Sequence, residues 1–187
     1  AMPLNTFDRS TAFHLYGGVI ENVSQVHEAH PDKNLYFTEQ WIGEPGDLPN
    51  DFLWHTENLI IGATRNWCKT VLEWNLAADS KQEPHTPGGC DRCLGAITID
   101  GDQVTRNPAY YIVGQASKFV RPGSVRIDSN VLPGLPNVAF KTPENAIVLI
   151  VLNTSGSEKN FAIQIGDELF STKLANGAGG TFIIPNN

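Results

Sequence analysis

The chain has 187 residues, 41% of them hydrophobic, and a formal net charge of −7 from 13 Lys and Arg against 20 Asp and Glu. That composition supports an ordinary globular core, and the few, scattered basic residues argue against a nucleic-acid surface. The longest apolar run, Ala146 to Leu152, is of strand length, well short of the roughly 20 residues of a membrane span. In chain order, Thr11–Tyr16 reads as a strand that stops at Gly17-Gly18. Val19–His30 has helical spacing, with Ile20, Val23 and Val26 on one face. Asn34–Thr38 is the next strand, and Gly43–Pro49 is a Gly/Pro loop. Asp51–Asn66 reads as a longer helix, with Phe52, Leu59, Ile60 and Ala63 recurring at near-helical spacing and Asp51 as its cap. Thr70–Trp74 is a third strand. The order β-α-β-α-β with short connections favours a parallel sheet.

A polar loop from Asp79 to Gly95 follows. Ala96–Ile99 and Gln103–Thr105 flank Asp100-Gly101-Asp102 as a small hairpin. Pro108 suits the first turn of a helix running to Phe119. After Pro122-Gly123 the texture changes. Val125–Ile127, Val138–Lys141, Ala146–Leu152, Asn160–Ile165, Leu169–Leu174 and Gly180–Ile184 are short strands between turn residues, the pattern of an antiparallel sandwich. The expected division is an α/β portion over residues 1–121 and an all-β portion over residues 122–187.

Glu39 stands out chemically. It follows an apolar strand and stands two residues before Trp41. At the carboxyl end of a parallel strand a side chain lines an active-site mouth. A carboxylate there, with an indole that can stack on a sugar ring, fits half of a glycosidase pair; an exposed Glu at a helix entry is the plainer reading. His14 and Tyr16, two apart on one strand, share a face. They are either pocket residues or core packing. Glu73 and Trp74 are adjacent at the next strand end, so they point to opposite sides; Glu73 is either a substrate contact or a salt-bridged strand-end carboxylate. Trp74 and Trp41 are candidate stacking platforms, Asn75 a candidate sugar ligand or strand-end cap, and Trp54 and Trp67 read as packing residues. Cys90 and Cys93 form Cys-Asp-Arg-Cys in the Pro- and Gly-rich loop. A disulfide, two free thiols and a metal site all stay open, although zinc would need two further ligands. Cys68 falls inside the helical pattern and reads as a buried helix residue.

Four segments carry a resemblance. Leu35-Tyr36-Phe37-Thr38-Glu39 resembles the nucleophile strand of glycoside hydrolase family 30, the glucosylceramidase-like retaining β-glycosidases. Ala12-Phe13-His14-Leu15-Tyr16, the run Val71-Leu72-Glu73-Trp74-Asn75-Leu76-Ala77, and Asn107-Pro108-Ala109-Tyr110-Tyr111 through Ser117-Lys118-Phe119-Val120 resemble the same family in the same order. The family's chains are more than twice as long, and the Asn-Glu-Pro signature that carries their general acid/base occurs nowhere in this sequence. The resemblance therefore implies a C-terminal portion: the last three β/α units of a (β/α)₈ barrel followed by a β-sandwich. It implies Glu39 as nucleophile, with His14, Tyr16, Trp41, Glu73, Trp74 and Asn75 around a β-linked glycan, and a mechanism that needs no metal or organic cofactor. It also implies a missing N-terminal barrel half, or a second copy, covering the open sheet edges. A secreted or periplasmic location is the expectation, although the chain carries no signal peptide. A non-catalytic carbohydrate-binding or structural module is the alternative, since the acid/base strand is absent.

Overall fold

The computed structural model describes residues 10–185. In chain order these form β1 (Ser10–His14), α1 (Asn22–Ala29), β2 (Asn34–Glu39), β3 (Ile42–Gly43), α2 (Leu48–His55) continued by a π-helix (Thr56–Ala63), β4 (Cys68–Val71), β5 (Ala77–Ala78), β6 (Cys93–Leu94), β7 (Ile97–Asp100), β8 (Gln103–Arg106) and α3 (Pro108–Ser117). The strands β9 (Val125–Ile127), β10 (Asn137–Lys141), β11 (Ile147–Leu152), β12 (Lys159–Ile165), β13 (Glu168–Leu174) and β14 (Gly179–Ile184) follow. The structure divides into two compact units after Val113. This contact boundary falls inside α3. The C-terminal turns of that helix are tied to the second unit, where the Thr181 hydroxyl donates to the Gln115 carbonyl at 2.9 Å.

In the first unit β1, β2 and β4 form a parallel sheet in that order. The parallel pairing follows from the helical crossovers between the strands, as the element order predicts. Ile20, Val23, Leu35, Phe37, Leu59, Ala63 and Cys68 form its core. Leu35 and Phe37 are two apart on β2, so both face inward. Gly62 permits the close approach of this core: a Cβ there would lie 3.0 Å from Ile20 Cγ2 and 2.9 Å from the Glu57 carbonyl. Among the described residues β1 and β4 are sheet edges. A small sheet in the order β5-β7-β8 holds the expected hairpin, and β3 pairs with β6.

Three sequence expectations change. The cap of α2 is Asp47, not Asp51: the Asp47 carboxylate accepts from the Asn50 amide at 3.3 Å, and Asp51 Oδ2 accepts from the Asp47 amide at 2.6 Å. The helix thus begins inside the Gly/Pro loop, because Pro49 lies in the first turn, where its missing N–H costs nothing. Cys68 is not helical. It opens β4, since the helical run ends at Arg65 and Trp67 takes a left-handed φ of 75° that turns the chain into the strand. Trp67 is half-exposed and stacks on His27 at 3.9 Å instead of entering the core.

Cys68 is nonetheless buried, and loss of solvent pushes its thiol up to about 12 from the ordinary 9.0. The folded state keeps the proton to a higher pH than the unfolded chain does. This contribution to stability is therefore intact below pH 9.0 and is lost as the pH climbs toward 12. Iodoacetamide at pH 8 should leave the native thiol unmodified and label one Cys per chain once the protein is unfolded without reductant. Rapid labelling of the native chain would contradict the burial.

The second unit is antiparallel throughout. A four-stranded sheet in the order β14-β11-β10-β9 faces a hairpin of β12 and β13. Period-2 alternation sends Ile147, Leu149 and Val151 of β11 to one face and Val148, Ile150 and Leu152 to the other. The first set, with Phe161 and Ile163 of β12, lines a cleft of about 580 Å³ between the two sheets. Asn153 holds the end of β11: its side chain is fully buried, donates to the carbonyls of Ser157, Leu174 and Ala175 at 2.7–3.0 Å, and accepts from Ser155.

Candidate active site

Glu39 is the last residue of β2, so its side chain leaves the sheet at the carboxyl end. The Tyr16 hydroxyl, two residues past β1, donates to Glu39 Oε1 at 3.0 Å. His14 Nδ1 lies 3.7 Å from the same oxygen. The two rings meet edge-on, 5.8 Å apart at 87°. The parallel β1–β2 register brings these three together, and the register shift between Phe13 and His14 sets His14 directly opposite Glu39. Desolvation of the Tyr16 hydroxyl, then its hydrogen bond to Glu39 and the charge of that carboxylate, push its pKa up to about 12. Tyr16 is therefore a donor at every physiological pH, and it fixes one oxygen of Glu39 while the carboxylate stays partly open to solvent (37% exposed).

The third strand continues toward this end by two backbone bonds beyond its regular ladder. Leu72 N donates to the Phe37 carbonyl at 3.0 Å and Trp74 N to the Gln40 carbonyl at 2.7 Å. Trp74 and Trp41 form an isolated parallel bridge. Trp74 is 51% exposed. Trp41 is partly buried, because its ring packs over Gly43, where a Cβ would come within 3.0 Å of it.

Glu73 is a paired strand-end carboxylate and not a pocket contact. Its side chain is 4% exposed, and its carboxylate meets His55 Nδ1 of α2 at 3.2 Å. Alternation along the strand explains this: with Trp74 outward, Glu73 points inward. It is not on the open face with Glu39. Asn75 also turns inward: its Oδ1 is buried with no hydrogen bond among the described residues, pressed against Gly95. Beside Trp74 and Asn75, the loop residues Gln82, His85, Thr86 and Cys90 enclose a smaller cavity of about 190 Å³. Cys90 and Cys93 are disulfide-bonded, which resolves the alternatives for that loop. Among the described residues no three His, Cys, Asp or Glu side chains cluster as a metal site.

His55 is the residue that sequence reading missed. A signal existed, since His55 falls four residues before Leu59 on the apolar stripe of its helix and should therefore face inward. Only the tertiary contact names Glu73 as its partner.

Residues 123–182 match the glycosyl hydrolase family 30 beta sandwich domain. Over 95% of its length the chain is 30% identical to the endo-1,6-beta-D-glucanase neg1 of Aspergillus fumigatus, of which it covers 38%. It is 24% identical over 83% of its length to the putative glucosylceramidase 4 of Caenorhabditis elegans, covering 32% of that protein. Among solved structures, the endo-beta1,6-glucanase BT3312 superposes with a TM-score of 0.84 at 29% identity, over 95% of this chain and 41% of that one. The chain thus spans between about a third and two fifths of the length of these relatives.

Proposed function

We propose, from the kinship of this chain with the C-terminal portion of glycoside hydrolase family 30 proteins, that it carries the nucleophile half of a retaining β-glycosidase site. Glu39 is the nucleophile. The observation that carries this reading is its position: a partly open carboxylate at the carboxyl end of a parallel strand, with one oxygen held by Tyr16 at 3.0 Å. A retaining enzyme needs a second carboxyl about 5–5.5 Å from the first, to protonate the leaving oxygen and then activate water. Glu73 does not serve, because it is buried against His55. The acid/base comes instead from a segment bearing Asn-Glu-Pro, which this sequence lacks.

In this reading β1, β2 and β4 are an arc of a (β/α)₈ barrel, whose closure needs about eight strands. The exposed edges of β1 and β4 are covered by the N-terminal barrel half or by another copy of the chain. Trp74 is the stacking platform for the sugar, His14 and Tyr16 shape the floor around Glu39, and Trp41 and Asn75 support the Trp74 end from beneath. The substrate class is β-linked glucan or β-glucoside. Since the relatives include endo-1,6-β-glucanases, a β-1,6-glucan is the first substrate to try. The Cys90–Cys93 disulfide suits a secreted or periplasmic protein.

The test is covalent trapping in a protein that carries this chain together with the N-terminal portion. A 2-deoxy-2-fluoro β-glucoside slows hydrolysis of the glycosyl ester, so the sugar should accumulate on the peptide containing Glu39. Its attachment to any other carboxylate, or to none in an active protein, would overturn the assignment.

A further inference from the structure

The pair formed by His55 and Glu73 is not used by this mechanism, yet it is the least expected burial in the first unit. The two side chains are 6% and 4% exposed and meet at 3.2 Å. The approach is off the donor axis, so neither His55 Nδ1 nor either Glu73 oxygen has a hydrogen bond among the described residues. Taking an imidazole and a carboxylate out of water is costly, and apolar replacements of similar size are often neutral or stabilising. Stability alone is therefore a poor reason for such a pair.

Its place in the chain gives a better one. Glu73 is the residue before Trp74, on a stretch that has left the regular ladder after Val71 and is tied to β2 only through Leu72 N and Trp74 N. His55 is the last α-helical residue before the π-helix, with its ring edge-on to Trp54 at 5.0 Å. Fastening Glu73 inward to this joint sets the rotation of the extended segment. Because neighbouring side chains point oppositely, that rotation aims the Trp74 indole outward, from a backbone bonded to the carbonyl of Gln40, the residue after Glu39. We infer that His55 and Glu73 are a positioning pair whose contact holds the Trp74 platform at the angle a sugar ring needs. The inference rests on the reading of Trp74 and Glu39 as parts of one sugar site. The pair itself touches no substrate.

The first arm of the test uses this chain. In a ¹⁵N-labelled sample the four Trp residues give four indole N–H signals. The double substitution H55L/E73L removes both buried polar groups together. The expected result is a folded protein by circular dichroism with the Trp74 signal displaced or broadened, while the signal of Trp67, stacked on His27, stays in place. A folded double variant with an unmoved Trp74 signal would overturn the inference. The isosteric Glu73→Gln, read in the same way, covers the case in which the double variant does not fold. Unfolding of both would also overturn it, by making the pair a stability element.

The second arm measures turnover of a 4-nitrophenyl β-glucoside by a protein that also carries the N-terminal portion. The pair variants should raise KM by about tenfold, the equivalent of 1.4 kcal/mol, with kcat changed far less, whereas an unchanged KM would refute positioning. Glu39→Gln keeps the two ideas separable. If it leaves turnover intact, the glycosidase reading falls, while the indole result of the pair variants still judges the pair.

Discussion

Glu39→Gln is expected to reduce turnover of a β-glucan or aryl β-glucoside by roughly 10⁴-fold or more, in a protein that carries both this chain and the N-terminal portion. The amide keeps the shape and the Tyr16 contact but cannot form the glycosyl ester on which double displacement depends. Tyr16→Phe should cost far less, since it removes only the 3.0 Å hydrogen bond that orients one oxygen of Glu39. The ordering of the two variants is the informative result. Initial rates over a range of substrate concentrations, with folding checked by circular dichroism, decide it. If Glu39→Gln retained a tenth of the activity or more, Glu39 could not be the nucleophile.

The second large effect concerns the purified 187-residue chain by itself. It should turn over neither a 4-nitrophenyl β-glucoside nor a β-1,6-glucan at a useful rate. Lack of a positioned general acid costs about 10²–10⁴ in rate, and a pocket with one wall open also loses the orientation of its substrate. Adding the N-terminal portion, either fused or as a separate chain, should restore turnover if the exposed edges of β1 and β4 are where it docks. Robust hydrolysis by the isolated chain, abolished by Glu39→Gln, would sink this prediction. It would require a second carboxyl near Glu39, and Glu73, the nearest in sequence at the next strand end, is committed to His55 at 3.2 Å.

Much of the architecture was legible before any coordinates, for definable reasons. Apolar residues at helical spacing in Val19–His30 and alternation in the later strands reflect which face each element buries, and burial is written into residue type. Parallel pairing of β1, β2 and β4 follows from helices placed between strands. The strand-end position of Glu39 and the shared face of His14 and Tyr16 needed only the period of two. Element ends were less legible. The start of α2 moved back to Asp47 because a reciprocal pair of side-chain caps, Asp47 and Asp51, outweighs the Gly/Pro look of the loop. Cys68 changed from helix to strand because Trp67 adopts a left-handed backbone, which apolar spacing cannot foresee.

What the sequence determined by itself was therefore the order and type of the elements, the change from α/β to antiparallel β, and a set of candidate site residues at the strand ends. These depend on local periodicity and on side-chain chemistry. Only the tertiary structure decided which of those residues meet. The β1–β2 register set His14 and Tyr16 on one oxygen of Glu39. The inward turn of the third strand took Glu73 and Asn75 off the open face and left Trp74 on it. A buried carboxylate must find a partner or stay in water, and the residue that meets Glu73 is His55, eighteen positions earlier on a different element. Such a pairing is fixed by packing in space, and no spacing along the chain encodes it.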